Sequence, residues 1–474
     1  MFSHSPIDWA LLVLYFAVLG YVWLRARRAS TRAVDYLVAG RAVTLPAFVA
    51  TLVASWYGGI LGVGEYSYRY GVSNWLVFGV PYYAGALLFA IFFARRARRA
   101  ALYTVPELLQ DHYGRGPGLV GALAVFAFAA PSAYVLMLGT LFASMFQLPL
   151  VPCVIAAAVF SIFYIQNGGM RSVVFSDQIQ FVLMYAGFFL MFGFLVAKHG
   201  GLGYLQSHLP PAHFTWNGGN PPAAVLVWYF IALSTLIDPG FWQRAYAAEN
   251  PRTAQRGVLI SIGFWILFDF LTTSAGMYAR AVLPHLDKPV FAFPELARAT
   301  LPAGALGLFY LAMIATVMST IDAYGFIAAT TLGRDVVGAL TPAYAENHTT
   351  RNTKIALWIS AAFACAVALA EPSVVEIWKL MGSIVTPALL LPVATATLGR
   401  GRLSPPLTLW AMVVPLALTL VWVLLGSLPL FGRTPGYPGA IEPIYIGLAA
   451  SLLFYGTGWL MPSRARLAPQ EIPS

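Results

Sequence analysis

Five carboxylate side chains lie inside long apolar stretches of this sequence, where a charge is costly to bury. They are Glu65, Asp177, Asp238, Asp269 and Asp322. An ionisable residue at membrane depth is a functional candidate by default, because its charge needs a partner. These five residues are therefore the first candidates for ion or solute binding.

The segment IATVMSTIDAYGF, residues 314–326, concentrates oxygen-bearing side chains. About one helical turn carries Ser319, Thr320, Asp322 and Ala323. Hard cations such as sodium prefer the hydroxyl and carboxylate oxygens that converge there. Hydroxyls alone commonly bond back to a helix carbonyl, but a carboxylate beside them needs a partner. The pattern therefore predicts a cation site on this helix.

Two of the carboxylates have simpler interpretations. Glu65 precedes Arg69 by four residues, which is the spacing of a helix ion pair, and would lie near the outer mouth. Asp269 is isolated in FWILFDFLTT, where it would pair with an arginine or be protonated.

The stretch SWYGGILGVGEY, residues 55–66, carries four glycines in an apolar segment. Each weakens a helix interior by about 1 kcal/mol relative to alanine. Gly58 and Gly62 form a GxxxG pair, which alone would indicate close helix packing. Five segments later, STLIDPGFW at 234–242 contains Pro239 and Gly240, which should break a helix. Breaks at corresponding positions of two halves indicate unwound helices at a solute and ion site.

The composition places these segments in a membrane. The chain has 474 residues, of which 59% are hydrophobic and 10% charged, whereas soluble domains carry about 25% charged residues. Thirteen apolar segments approach the roughly 20 residues that a membrane-spanning helix needs. They are approximately 7–25, 44–71, 74–95, 117–146, 149–168, 173–198, 222–246, 256–283, 302–336, 353–371, 373–398, 405–427 and 440–461. The sequence therefore predicts an all-α integral membrane protein with about 13 transmembrane helices.

Basic residues alternate between the two sides of this predicted bundle. Clusters such as RRARR at 95–99, MRS at 170–172 and SRAR at 463–466 fall in alternate loops. The opposite loops, 199–222 and 426–440, carry almost none. The positive-inside rule then predicts an outside N-terminus and a cytoplasmic C-terminus in a cell membrane. It also explains the net charge of +10 without a nucleic-acid partner.

The spacing of the breaks predicts a five-plus-five inverted repeat in four parts. Residues 1–43 would form an N-terminal extra helix and cytoplasmic loop, 44–198 the first repeat and 222–398 the second. Residues 399–474 would form two C-terminal helices and a short tail.

The sequence offers no support for an enzyme. All seven histidines fall in loops or tails, and neither HExxH nor GxSxG occurs, so no metal other than sodium is expected. Cys153 and Cys365 lie in apolar spans, which favours neither disulfides nor a thiolate metal site. No cleavable signal pattern precedes the apolar run that starts at Ile7, and no soluble domain is expected.

Five motifs in order resemble the sodium:solute symporter family over most of the chain. ASWYGG at 54–59 is most similar to the first core helix of the choline-transporter branch. YTVPELLQDHYG at 103–114 resembles a cytoplasmic loop of the family, with histidine where arginine is usual, and NGGMRSVVFSDQIQ at 167–180 resembles its GG…D-x-x-Q signature. Residues 241–257 and 317–336 resemble the Q-R stretch and the sodium-binding helix. The resemblance implies a LeuT-like core and symport of a small organic solute with sodium.

By position, the resemblance implies one main sodium site, with Na+ as the coupling ion. Its backbone carbonyls, hydroxyls and one nearby carboxylate would come from Ala54, Tyr57, Thr316, Ser319, Thr320 and Asp177. Some family members hold a second cation at the positions of Asp177, Ser319, Asp322 and Ala323. Here that could be a second sodium ion, a proton or an internal charge network.

The solute is expected between the broken helices, near Trp56, Tyr57, Gly58, Gly59, Asp238, Trp242 and Trp378. Asp238-Pro239-Gly240 stands where sugar-transporting members have N-Q-Y. A buried Asp238 near aromatic rings would suit a cationic or amine-bearing solute through a charge pair and cation–π contact. Alternatively, Asp238 caps the unwound segment or titrates.

Two alternatives to sodium symport stay open. A proton-coupled transporter on the same fold is compatible with five buried carboxylates. A transporter-like membrane sensor or a sodium-leak channel is a different class, and the short C-terminal tail argues against the sensor.

Overall fold

The structure is a computed structural model that describes residues 5–26, 33–371, 373–399, 403–427 and 436–460. Apart from turns and an isolated parallel β-bridge between Val43 and Ala248, these residues are helical. The α-helices are α1 (Pro6–Ala26), α2 (Ala33–Val38), α3 (Leu45–Trp56), α4 (Ile60–Tyr70), α5 (Val80–Phe92), α6 (Ala94–Ala100), α7 (Val105–Tyr113), α8 (Arg115–Ala129), α9 (Ser132–Phe146), α10 (Leu150–His199), α11 (Leu202–His208), α12 (Pro222–Ile231), α13 (Pro239–Ala247), α14 (Pro251–Val282), α15 (Ala292–Thr300), α16 (Ala305–Thr330), α17 (Val337–Leu340), α18 (Pro342–Ala370), α19 (Val374–Leu398), α20 (Pro405–Ser427) and α21 (Pro443–Leu460). The all-α prediction is confirmed.

Many of these helices are long and apolar enough to cross a membrane. By length and composition, the described residues hold nine such spans, or up to ten if the bent pair α3–α4 is one span. The shorter apolar helices Pro6–Tyr21, Leu150–Ile162 and Pro443–Gly458 coincide with three more predicted segments. The chain is therefore a multi-pass membrane protein. The count of 13 crossings, the four-part division and the orientation stay predictions.

The predicted segments 149–168 and 173–198 are joined by a kink rather than a loop. α10 runs through both and departs from helical geometry at Gly169, where φ is 56°. A Cβ atom there would lie 2.3 Å from the carbonyl oxygen of Tyr36. Glycine therefore allows both the left-handed backbone and the close approach of α2.

α16 lies at the centre of the bundle. In the most apolar part of its membrane span, 89% is buried inside the protein. The corresponding share for the peripheral α20 is 28%. It packs against α10, α3, α1 and α18. At its start, Asp8 of α1 accepts hydrogen bonds from the N–H groups of Gly304 and Gly307 at 2.7 and 2.9 Å. A carboxylate is favourable at a helix N-terminus, so α1 also helps to hold α16 in place.

Two helices are interrupted where the sequence predicts a break. α3 and α4 meet at a bend of 61° over residues 57–59. In the second half, α12 passes into a 3-10 turn at Ala232–Leu236, and the chain restarts as α13 at Pro239. Proline suits a first helical position, because its missing N–H would have no helical partner there. Both predicted interruptions are confirmed.

Candidate functional site

The break between α3 and α4 leaves backbone oxygens without helical partners. Regular helix stops at Trp56 and resumes at Ile60, which frees the last carbonyls of α3. This end of a helix also carries a partial negative charge. Ala54 and Tyr57, the expected carbonyl ligands, lie at this end and are buried. The break can therefore present backbone oxygens to a cation.

Gly58 brings the break into direct contact with α16. A Cβ atom on Gly58 would lie 2.1 Å from the Thr320 hydroxyl oxygen, which no real side chain tolerates. That hydroxyl turns back towards the Thr316 carbonyl at 3.5 Å, a long and weak hydrogen bond. Thr316, Ser319 and Thr320 are fully buried. The structure thus packs Thr320, one of the predicted α16 ligands, against the broken segment.

Asp177, on α10, faces the same interface. Its Oδ1 accepts a hydrogen bond from Ser319 at 2.6 Å, while its Oδ2 accepts one from Thr51. Oδ2 also lies 3.6 Å from the guanidinium of Arg244, and both members of this ion pair are fully buried. Sequence reasoning missed Thr51 and Arg244 as partners of Asp177, because the order of the chain does not reveal that α3 and α13 meet α10 here.

Asp322 is buried on α16 and lacks such partners. Neither of its carboxylate oxygens has a hydrogen-bond partner among the described residues. Tyr15 of α1 lies within electrostatic range of it, and the Tyr15 hydroxyl accepts a hydrogen bond from Gln180 at 3.0 Å. Ala323, next to Asp322, is also buried. Across the described ranges, no cluster of three His, Cys, Asp or Glu residues could hold a metal ion. The hydroxyl, carbonyl and carboxylate oxygens of this region are the ligand types that hard cations prefer.

A cavity of about 970 Å³, open space included, lies beside the break. Five of the seven predicted solute residues line it, namely Trp56, Tyr57, Gly59, Asp238 and Trp378. Sequence reasoning missed the further lining by Phe78, Tyr82, Phe128, Tyr134, Tyr324 and Asp269. The described residues of the wall include two carboxylates and no Lys, Arg or His.

The other two predicted solute residues lie outside this lining. Gly58 faces Thr320 of α16. Trp242 packs against Phe89 of α5, with ring centroids 5.5 Å apart, and donates from Nε1 to the Leu236 carbonyl at 3.0 Å. The helical turn of α13 therefore carries Trp242 towards α5 and away from the cavity.

Asp238 caps α13 and also lines the cavity. Its Oδ1 accepts the Gly240 N–H at 2.7 Å, and its Oδ2 accepts the Tyr324 hydroxyl at 2.7 Å. Each carboxylate oxygen has a further lone pair. Capping and recognition of a cation are therefore compatible at this residue.

Trp378 of α19 lies against the broken segment. A Cβ atom on Gly59 would approach its ring to 2.1 Å, and its centroid is 6.2 Å from that of Tyr134. The next residue, Lys379, forms an ion pair at 2.8 Å with Glu442, the residue that precedes α21. The wall of the cavity thus connects to the C-terminal helices.

Of the two carboxylates with simpler interpretations, Asp269 lies in the cavity wall and Glu65 lies outside it. Asp269 lines the cavity and accepts hydrogen bonds from Tyr57 and Tyr83, so no arginine partner is needed. Glu65 forms the predicted ion pair with Arg69 at 2.9 Å, and both side chains are partly exposed. Of these contacts, only the ion pair between Glu65 and Arg69 could be predicted from the sequence, because it depends on their spacing of four residues along one helix.

Comparison with known proteins adds a family and a fold. A model of the sodium:solute symporter family matches residues 36–400. Sodium/myo-inositol cotransporter 2 from Mus musculus is 25% identical over 394 residues, which cover 73% of this chain and 58% of that protein. High-affinity choline transporter 1 from Drosophila melanogaster is 24% identical over 456 residues, which cover 90% and 72%.

A solved structure of a Na+-coupled sialic acid symporter, in a substrate-bound outward-open state, resembles this chain with a TM-score of 0.78. The identity is 17%, and the match covers 98% of this chain and 100% of that one. At this identity the likeness concerns the fold alone.

Proposed function

The chain belongs to the sodium:solute symporter family, and we propose from that premise that it imports a small organic cation together with sodium by alternating access. The family consists of transporters rather than enzymes. One observation carries the proposal: Tyr57 lies at the carbonyl end of α3, next to the Gly58 contact with α16, while it also lines the solute cavity. The same short segment can therefore respond to both sodium and solute.

The proposed sodium ligands are the carbonyls of Ala54, Tyr57 and Thr316 and the hydroxyls of Ser319 and Thr320. The close contact of Gly58 with Thr320 and the weak back-bond of that hydroxyl support this set. Asp177 stays close by, because Ser319 donates to it at 2.6 Å. Arg244 balances part of the Asp177 charge, so neutral carbonyl and hydroxyl oxygens would hold most of the sodium ion.

Coupling follows from a shared conformation. Sodium at the end of α3 holds the broken segment in the arrangement that forms the cavity wall, so the solute binds a preorganised site. The coupling is reciprocal and is typically about 1–3 kcal/mol. A membrane potential negative inside adds about 2.3 kcal/mol per charge per 100 mV to inward movement.

The cavity supports a cationic solute. Among the described wall residues, Asp238 and Asp269 are the ionisable ones apart from tyrosines, and many of the others are aromatic. Cations bind favourably to aromatic faces and to carboxylates in such desolvated sites. A high-affinity choline transporter is among the relatives, which agrees with this class but does not name the solute of this chain.

A proton is a second candidate for the coupling ion, since both oxygens of buried Asp322 are unpartnered among the described residues. In that alternative Asp322, near Asp177, Ser319 and Ala323, would bind a proton or a second sodium ion. Uptake into proteoliposomes driven by a sodium gradient or by a pH gradient separates the two. Concentrative uptake in either case excludes a channel.

The sodium site is tested by the double variant Ser319→Ala plus Thr320→Ala. We expect loss of sodium-stimulated uptake in a protein that still folds, with a lower melting temperature in the absence of sodium because buried Asp177 loses its bond from Ser319. Ser261→Ala plus Thr397→Ala is the matched control, because within the described part of the chain those hydroxyls donate to carbonyls of their own helices. Sodium stimulation that survives in the first double variant would refute the site.

The solute class is tested with Asp238→Asn, which keeps an oxygen for the α13 cap. We expect the variant to lose binding of choline, used as a cationic probe, far more than binding of its uncharged carbon isostere. Equal losses for the two probes would remove the charge-pairing role of Asp238 and leave only its cap.

A further inference from the structure

Asp269 is a buried carboxylate in the middle of α14, with 1% of its surface exposed. The ion pairs of the described residues do not include it. Each of its carboxylate oxygens accepts one hydrogen bond from a phenol. Oδ1 accepts from the Tyr57 hydroxyl, and Oδ2 accepts from the Tyr83 hydroxyl. A buried charge without a counter-ion is expensive, so a specific role is expected for it.

The tyrosine that Asp269 holds is the residue between the two sites. Tyr57 follows the last residue of α3, and its backbone belongs to the proposed sodium site. Its hydroxyl also contacts Thr272 at 2.8 Å, and its ring packs edge-on against Phe268 at 4.5 Å. Three residues of α14 therefore fix one side chain of the broken segment.

We propose that Asp269 is a positioning residue that transmits sodium binding to the solute cavity by holding Tyr57 on α14. This inference rests on the proposed sodium symport. When sodium orders the Tyr57 backbone, the phenol anchored to Asp269 draws the cavity wall of α14 into the same arrangement. Asp269 itself lines the cavity, so the connection ends at the solute.

Carboxylate chemistry suits this role. Both phenols donate, and an aspartate offers an accepting oxygen to each, with charge-assisted bonds that are stronger than neutral ones. Asparagine has one accepting and one donating end, so one phenol would have to reverse its hydrogen bond. The second phenol, Tyr83, accepts a hydrogen bond from Trp75 Nε1 at 3.1 Å and donates one to Asp269. Neither of these two hydrogen bonds involves a residue of the broken segment.

Sodium alone is the probe in the test, because no solute is then needed. Ala133, which lines the cavity, is changed to cysteine in a full-length protein whose native Cys153 and Cys365 are replaced by alanine. The labelling rate of this cysteine by a cationic thiol reagent is compared in sodium and potassium chloride. The sodium-induced rise in melting temperature, which reports binding itself, is measured on the same samples.

With Asp269 intact, sodium should raise the melting temperature and change the labelling rate by at least about fivefold, the lower end of typical coupling. In Asp269→Asn and in Tyr57→Phe, we expect the melting shift to remain and the rate to become independent of sodium. Tyr83→Phe, the matched loss of a phenol hydroxyl, should keep the sodium-dependent rate.

Each other outcome overturns the inference. A sodium-dependent rate that persists in Asp269→Asn removes the role of Asp269, and loss of both readouts there indicates general damage to the sodium site. Loss in Tyr83→Phe as well would show that Tyr57 is not the specific link. Absence of any sodium effect with Asp269 intact overturns the proposed symport too, whereas a melting shift without a rate change overturns this inference alone.

Discussion

Replacing Gly58 by alanine tests whether the broken segment and α16 form one ion site. The added Cβ would lie 2.1 Å from Oγ1 and 2.3 Å from Cβ of Thr320. Thr320 is buried in the centre of the bundle and a rotamer change cannot relieve the clash, because its own Cβ is one of the three atoms in conflict. The backbone at the break must therefore retreat from α16.

The size of the effect follows from these distances. The contact has to lengthen from 2.1 Å to the ordinary van der Waals distance of 3.4 Å, which is about 1.3 Å of separation. Overpacking of this kind costs about 1–3 kcal/mol. If withdrawal of the Ala54 and Tyr57 carbonyls relieves the strain, the cost appears as weaker sodium binding, by about 5–150-fold for the same range of energies.

The assay is the sodium dependence of solute uptake in proteoliposomes, together with the melting temperature with and without sodium. Gly263→Ala on α14 is the matched control, because a Cβ at Gly263 meets nothing within 4 Å. We expect the control to behave as wild type and Gly58→Ala to need a much higher sodium concentration for half-maximal uptake. Unchanged sodium activation in Gly58→Ala would refute the idea that this contact closes the ion site.

Two further predictions concern stability. Arg244→Leu should lower the free energy of unfolding by about 3–5 kcal/mol, since it leaves the buried Asp177 charge without a counter-ion. Arg298→Leu, which removes an exposed ion pair with Glu295, is the control and should cost under about 1 kcal/mol. Similar losses for the two variants in unfolding experiments would contradict this prediction. Burial lowers the pKa of His213, whose Nε2 lies 3.0 Å from the Tyr68 carbonyl. As pH falls, the imidazole of the unfolded chain therefore takes up a proton before that of the folded protein, and stability should decline below about pH 6.5. In His213→Gln, the melting temperature should depend less on pH in this range. The same pH dependence in the variant and the wild type would contradict this prediction.

Much of the site could be predicted from the sequence because its signals are local. Gly58 and Gly59, or Pro239 and Gly240, weaken a helix wherever it packs, so both interruptions could be located. Ser319 and Thr320 share a turn of α16 by helical periodicity alone. Family membership likewise followed from motifs, since the order of short stretches survives at low identity.

Other features could not be predicted, because they depend on which helix faces meet. The periodicity of one helix says which residues share a face, but carries no information on the residue opposite. The sequence therefore left Asp269 isolated, while packing of α14 against the broken segment places it on Tyr57. It also placed Trp242 near the solute because of its neighbours in the chain, whereas the turn of α13 points it towards α5.

By itself, then, the sequence determined that this chain is a helical membrane protein with two broken helices and one helix rich in buried hydroxyls, since composition and local geometry do not depend on tertiary contacts. Only the tertiary structure decided that Arg244 pairs with Asp177, that Gly58 touches Thr320, and that tyrosines from separate helices surround the cavity. These contacts join residues far apart in the chain, and their partners are selected by the packing of whole helices.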